Sequence, residues 1–371
     1  MSSAEHWANR AASAAAAVNK RFGHRLLGLP GTWLGNISSP PRCGVEWHYW
    51  WQAHYLDCLV DSGWRELSHR SRPVEQPSEP SGEAVVELEL TLKRIKAMPR
   101  SIRLRNFLRF SNSYFDDMAW LALAAERANE LTQRVDGQAL PQLRSLRKSL
   151  RAQLRSALSP DLGGGMFWSK QRDYKNTAIN GPGALYFGRI GDQKRAQQVL
   201  DWMKHALWDP QRQLFIDGIH LRASGPEREE NLWTYNQGPV LSALLSRPTA
   251  ENLSIAEALI HGVKRGLLRD GALVLHGSGD LGLFTGILVR YLSLAASDAA
   301  LPPASRETAR QLVFATAEAL WASRSTGGPL VFTRDSALNA DQAYPPGTPI
   351  ELSSQLQAWM IFEAAYRLAS A

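Results

Sequence analysis

Residues 113–120 read Ser-Tyr-Phe-Asp-Asp-Met-Ala-Trp, and two adjacent carboxylates, Asp116 and Asp117, open an otherwise apolar helical stretch. Inside a helix, neighbouring side chains point about 100° apart, so two adjacent carboxylates converge on one cleft only near the first turn. Converging there, they could approach the ~5–5.5 Å separation with which paired carboxyl groups cleave a glycosidic bond with retention. The plainer reading makes Asp116 a helix cap and Asp117 a partner of the helix dipole. Tyr114, Phe115 and Trp120 surround the pair, and a cap alone has no need of them.

Four further clusters pair aromatic rings with neutral amides or carboxylates. Gly163-Gly164-Gly165 leads to Trp168 and then to Asn176 and Asn180, one helical turn apart. Such glycines let a loop approach a ligand, and amides both donate to and accept from hydroxyls. A helix cap with buried loop amides would look the same. Trp233 to Gly238 sets Tyr235, Asn236 and Gln237 at the head of an apolar helix, facing a cleft or building an internal hydrogen-bond network. Asp280 lies in a Gly-rich turn that reads as a plain turn, since no Gly-Lys-Ser/Thr end of a phosphate loop follows. The run Trp47 to Asp57 is mostly core, with Trp50, Trp51 and His54 the candidates to reach a ligand. Ring faces for sugar C–H surfaces, amides for hydroxyls and two carboxylates together describe a carbohydrate site. His54 and Asp57 lack a third partner for a metal, and neither a Gly-x-Ser-x-Gly motif nor a Cys/His nucleophile pair is present.

The elements that position these residues are helical. Apolar spacing of i, i+3, i+4, i+7 predicts helices near 3–22, 46–63, 85–109, 115–134, 139–157 and 174–190. It continues near 192–208, 233–246, 251–267, 281–297, 304–323 and 351–369. Pro303 opens one helix and Pro99 predicts a kink or break in another. Leu214–Leu221, Ala272–His276 and Leu330–Thr333 read as short β-hairpins in loops. Twelve helices without a 34–47-residue repeat point to an all-α (α/α)6 barrel, a toroid of six inner and six outer helices, rather than a solenoid. The chain reads as one domain over 1–371, with a mobile loop near 65–82.

Composition narrows the function classes. With 44% hydrophobic residues in 371 the chain is no disordered protein, and two cysteines exclude a disulfide scaffold or a four-cysteine zinc site. No apolar run approaches the ~20 residues of a membrane span. The net charge of +7 favours anionic surroundings, yet no nucleic-acid-binding module is visible. Lys93–Arg109 holds seven basic and no acidic residues. It reads either as a solvated helix face paired with Glu83, Glu87 and Glu89 or as a patch for an anionic ligand or lipid headgroups. The Ala-rich start reads as an amphipathic helix rather than an export signal, so a cytoplasmic protein is expected.

In Tyr114-Phe115-Asp116-Asp117 with Trp120, the Gly-rich stretch to Trp168 with Lys175-Asn176 and Asn180-Gly181, and Trp233–Gly238, the sequence resembles glycoside hydrolase family 76, the endo-α-1,6-mannanases. Weaker matches are Gly279-Asp280 through Gly286 and Glu351-Leu352-Ser353. The resemblance implies an (α/α)6 barrel cleaving α-1,6-mannan with retention. Asp116 would be the nucleophile and Asp117 the general acid, its pKa raised by the charge of Asp116. It implies no metal or organic cofactor, and a monomer is expected. Met118-Ala119 stands where many members have Glu-Gly, and Thr285 where a Lys is common. Thirty-three Arg against nine Lys suggest a GC-rich bacterial genome, such as an actinobacterium's. There the substrate would be mannan or a mannose-bearing glycolipid of lipomannan or lipoarabinomannan type, with weak contact to an anionic membrane surface through Lys93–Arg109. Two other readings are a catalytically silent sugar-binding toroid and a toroid glycosidase of another linkage. A terpene-cyclase-like toroid would need a third Asp where Trp120 stands.

Overall fold

The computed structural model describes residues 2–41, 47–70 and 82–371. Cys43 and residues 71–81 of the expected loop lie outside them, whereas 65–70 belong to a helix. The described residues form α1 (Ser3–Phe22), α2 (Tyr49–Arg70), α3 (Gly82–Arg105), α4 (Phe115–Asp136), α5 (Pro141–Ala157), α6 (Thr177–Arg189) and α7 (Gln193–Ala206). Then follow α8 (Thr234–Leu245), α9 (Ala250–Gly266), α10 (Phe284–Ala296), α11 (Pro303–Ala322), the short α12 (Ala340–Ala343) and α13 (Leu352–Ser370).

Burial sorts the long helices into two sets. In α5 the buried positions Leu143, Leu146, Leu150 and Leu154 form a single stripe, the pattern of a helix with one face on a core. In α6 every residue from Thr177 to Phe187 is buried, and α8, α10 and α13 are covered nearly all round. The packing follows from this. Helix α2 packs on α4, α4 on α6, α6 on α8, α8 on α10, α10 on α13 and α13 back on α2, which closes a ring. Five ring helices are each backed by the next helix in sequence, α3, α5, α7, α9 and α11, and α13 by α1 from the opposite end of the chain. Gly238 lets α8 approach α10, since a Cβ there would stand 2.8 Å from the Tyr291 ring. By length and composition Gly279–Ala296 could cross a membrane, against the sequence expectation, but 78% of it is buried in the protein.

Side-chain amides join the loops to the ring. Gln52 bonds both N–H and C=O of Gly35, Gln355 does so for Phe332, and Gln237 for Phe215. Asn180 does the same for Met166. Each amide stands in for a neighbouring strand and satisfies backbone groups that burial would otherwise leave unpaired.

Two to three turns below the N-terminus of α2, Asp57 and Asp61 meet Arg127 of α4 and Arg290 of α10. Each guanidinium bridges both carboxylates, and Arg367 of α13 reaches Asp61 at 3.3 Å. This lattice ties four of the six ring helices together.

Some expectations fail locally. Helix α3 runs through Pro99 without ending. Leu330–Thr333 forms no strand, because Gln355 takes its backbone groups. The other two hairpin readings hold in shorter form. Leu214–Phe215 pairs with Trp208–Asp209, Ala272–Leu273 pairs with Leu268–Arg269, and Gly218–Arg222 joins Tyr174–Asn176 and Gly225–Glu229 in a three-stranded sheet.

Candidate active site

The N-terminal ends of α2, α4, α6, α8 and α10 surround a cleft of about 780 Å³. Helix α4 brings Asp116 and Asp117 to its floor as the second and third helical residues; the capping position belongs to Tyr114, so neither carboxylate is a cap. A loop clamps this helix start: Phe115 N–H donates to the Trp168 carbonyl at 2.7 Å, and Lys170 N–H to the Ser113 carbonyl at 2.9 Å.

The two carboxylates differ in surroundings. Burial pushes the Asp116 carboxyl up to about 7, although the Trp168 indole and the backbone N–H groups of Asp116 and Asp117 favour its charge. Its Oδ1 is buried with no hydrogen-bond partner. Asp117 accepts at Oδ2 from the Asn112 amide. The sequence expectation placed a raised pKa on Asp117 through the charge of its neighbour; burial raises that of Asp116.

Aromatic rings wall the cleft. Trp168 lies 4.9 Å from Tyr114 and 6.1 Å from Tyr174, and Tyr174 stacks on His220 at 3.9 Å. On the other side Tyr235 stacks on Phe284 at 3.9 Å, next to Trp233. Trp120 closes the floor, and Asn176 lines the wall while its Oδ1 caps α6. Asp280 stands at the mouth, its Oδ1 accepting from the Trp50 and Trp51 indoles at 2.8 Å each. Asp280→Asn keeps that acceptor and removes only the charge. We expect KM to rise roughly threefold to tenfold with kcat nearly unchanged, as for a group that binds ground and transition states alike.

Five sequence candidates do not line the cleft. Trp51 is buried behind Asp280 and positions it. His54 is buried against Trp50 and Trp120, burial lowers its pKa to about 3, and neither ring nitrogen has a hydrogen-bond partner. Asn180 and Gln237 spend their amides on loop backbone, as described above. Asn236 is buried and donates to Asp217 at 2.8 Å. The Gly163–Gly165 loop is not a ligand loop either. A Cβ on Gly165 would stand 2.5 Å from the Trp202 ring, and the Lys175 ammonium holds the carbonyls of Ser159, Asp161 and Gly164.

Sequence reasoning missed Asn112 and Asp217. Asp217 is a further cleft carboxylate besides Asp280, raised in pKa by burial, receiving the Tyr174 hydroxyl at 3.1 Å and the Asn236 amide. Its only local signal is Asp-Gly at a bend between two strands. Among the described residues no group of three or more His, Cys, Asp and Glu could hold a metal ion.

The sequence profile of glycosyl hydrolase family 76 matches residues 6–369. This chain belongs to glycosyl hydrolase family 76. The structure is similar to that of the family 76 α-1,6-mannanase from Salegentibacter sp. HEL1_6, with a TM-score of 0.79, 25% identity and coverage of 98% of this chain and 99% of that one. An inactive, doubly substituted variant of that mannanase in complex with α-1,6-mannotriose matches with the same TM-score, identity and coverage. The Lin0763 protein from Listeria innocua shares the fold at a TM-score of 0.75 and 22% identity, over 99% of this chain and 98% of that one. No curated protein sequence matches. The family 76 membership makes the chain a glycoside hydrolase and the aromatic cleft its candidate site.

Proposed function

We propose that the protein is a retaining endo-α-1,6-mannanase whose machinery is Asp116 and Asp117, set in a closed ring that we read as an (α/α)6 barrel. The observation that carries this reading is the Asp-Asp pair on the floor of an aromatic cleft. The similarity to a mannanase that has been captured with α-1,6-mannotriose supports the substrate class.

In the proposed first step, the Asp116 carboxylate attacks C1 of the mannosyl unit. The C1–O bond breaks as Asp117 protonates the departing O6. In the second step Asp117 takes a proton from water, the resulting hydroxide attacks C1, and the ester to Asp116 breaks. Two inversions give retention. The Trp168 indole and the helix N-terminus hold the nucleophile in place. Trp168, Tyr114, Tyr174 and Tyr235 offer faces to sugar C–H surfaces, while Asn176, Asp217 and Asp280 offer hydroxyl partners. A mannan or mannose-bearing glycolipid of lipomannan or lipoarabinomannan type suits the net charge of +7.

The nucleophile must be ionised, and burial raises its pKa. The kcat/KM profile should therefore fall as pH drops below about 7, approaching tenfold per unit. A profile flat from pH 5 to 8 would remove Asp116 from that role. Substrate class is tested by product analysis of linear α-1,6-mannan. The proposal expects short α-1,6-linked oligomers from the wild type and none from either Asp→Asn variant. Binding without cleavage by the wild type would support a silent sugar-binding protein instead.

A further inference from the structure

The Lys93–Arg109 run divides in two. Lys93 pairs with Glu89, Arg94 with Glu87 and Lys96 with Asp136, which is the solvated helix face expected from the sequence. Arg100, Arg103, Arg105 and Arg109 have no carboxylate partner among the described residues, and all but Arg105 are exposed. Directly after them Phe107 and Leu108 point into solvent, 84% and 63% exposed. Both adopt left-handed backbone, with φ of 52° and 62°, a conformation costly for side chains other than Gly, Asn or Asp. Arg103 holds this loop by donating to the Leu108 carbonyl at 3.1 Å.

A second apolar tip stands beside it. Leu27 is 90% exposed at φ 49°, followed by the exposed Leu29. Arg100 ties the two segments together by donating to the Pro30 carbonyl at 3.3 Å. Neither 23–35 nor 93–115 contains an acidic residue. Both tips follow the C-termini of outer helices, at the end of the ring where the cleft opens. Asn106, next to Phe107, lines the cleft, and Asn112 of the same segment holds Asp117.

We infer that Leu27, Leu29, Phe107 and Leu108, ringed by Arg25, Arg100, Arg103 and Arg109, form a surface that docks on an anionic lipid bilayer, with the cleft facing the membrane. Apolar tips that enter the headgroup layer, set among arginines without carboxylate partners, are the two attractions that peripheral membrane binding combines. Charge complementarity selects this occupant. A second copy of the chain would bring the same uncompensated arginines face to face. The inference stands on these residues and needs no assumption about the sugar.

The test is co-sedimentation of the full chain with vesicles of phosphatidylcholine alone or phosphatidylcholine and phosphatidylglycerol at 7:3. Binding to the anionic vesicles should be at least roughly tenfold stronger and should weaken as salt rises. The L27N/F107N/L108N variant places Asn where left-handed backbone suits it, so it keeps the fold. It should lose roughly tenfold or more of that binding while hydrolysing soluble substrate at the wild-type rate. Equal binding to both vesicle types, undiminished binding by the triple variant, or a dimer of the wild type that this variant dissolves would each overturn the inference.

Discussion

The Asp116→Asn variant should lose about 10^4-fold or more of its hydrolytic rate, because it removes the carboxylate proposed to form the mannosyl ester. The same substitution should also stabilise the protein. The folded-state pKa of Asp116 lies above its unfolded value of about 4. The favourable protonated form is therefore complete below pH ~4, and its contribution is lost as pH rises through neutrality. At pH 8 the wild type holds a charge in a site that disfavours it. Part of the carboxyl opens on the cleft, so the gain on replacing it is about 1–2 kcal/mol rather than the cost of full burial. Melting temperatures of both proteins from pH 4 to pH 8 check this: the variant should lead at pH 8, and the gap should close toward pH 4. Asp117→Asn should behave differently. It should lose about 10²–10⁴-fold on mannan but keep cleaving an aryl α-mannoside whose leaving group needs no proton, with the ester accumulating. Equal losses on both substrates would contradict the division of roles.

The largest stability effect is expected at the Arg-Asp lattice. Arg290→Met leaves Asp57 and Asp61 sharing Arg127, with Arg367 at the edge, in a region otherwise closed to water. Removing one member of a buried ionic group costs about 3–5 kcal/mol, because the charges left behind stay desolvated. Chemical denaturation of the variant should show this as a lowered midpoint. Burial alone would raise the Asp61 carboxyl, but Arg127, Arg290 and Arg367 outweigh it and hold it below the usual range. The lattice therefore stabilises fully above pH ~4 and loses its contribution as pH falls further, so the wild type should be acid-labile there and the variant less pH-dependent. A variant with unchanged stability would mean that these charges are solvated. Because the lattice lies below the cleft and joins α2, α4, α10 and α13, its loss should also loosen the floor that carries Asp116.

The helices were legible in the sequence because burial writes itself into periodicity. The Leu stripe of α5 and the nearly unbroken apolar run of α10 separate an outer from an inner helix before any coordinates. The Asp116–Asp117 pair was legible because two charges at the head of an apolar helix conflict with core packing. What stayed hidden depends on long-range partners. Asn180 and Gln237 look like ligand-binding amides until the loop backbones of Met166 and Phe215 are seen to occupy them. His54 sits among cleft residues in sequence but one turn too deep. Asp217 reads as an ordinary bend until the strand ending at Asn176 places it across from Tyr174. Pro99 predicted a kink that α3 absorbs. The raised pKa of Asp116 also needed the fold, because it arises from burial.

The most direct test of the account is the anomeric configuration of the first product. Proton NMR of α-1,6-mannotetraose during hydrolysis by the wild type should show the α-anomer of the new reducing end first, with the β-anomer growing only at the rate of mutarotation. Asp116→Asn should give no new reducing end on the same timescale. A β-anomer appearing first, or cleavage by Asp116→Asn at the wild-type rate, would contradict a retaining mechanism built on this carboxylate.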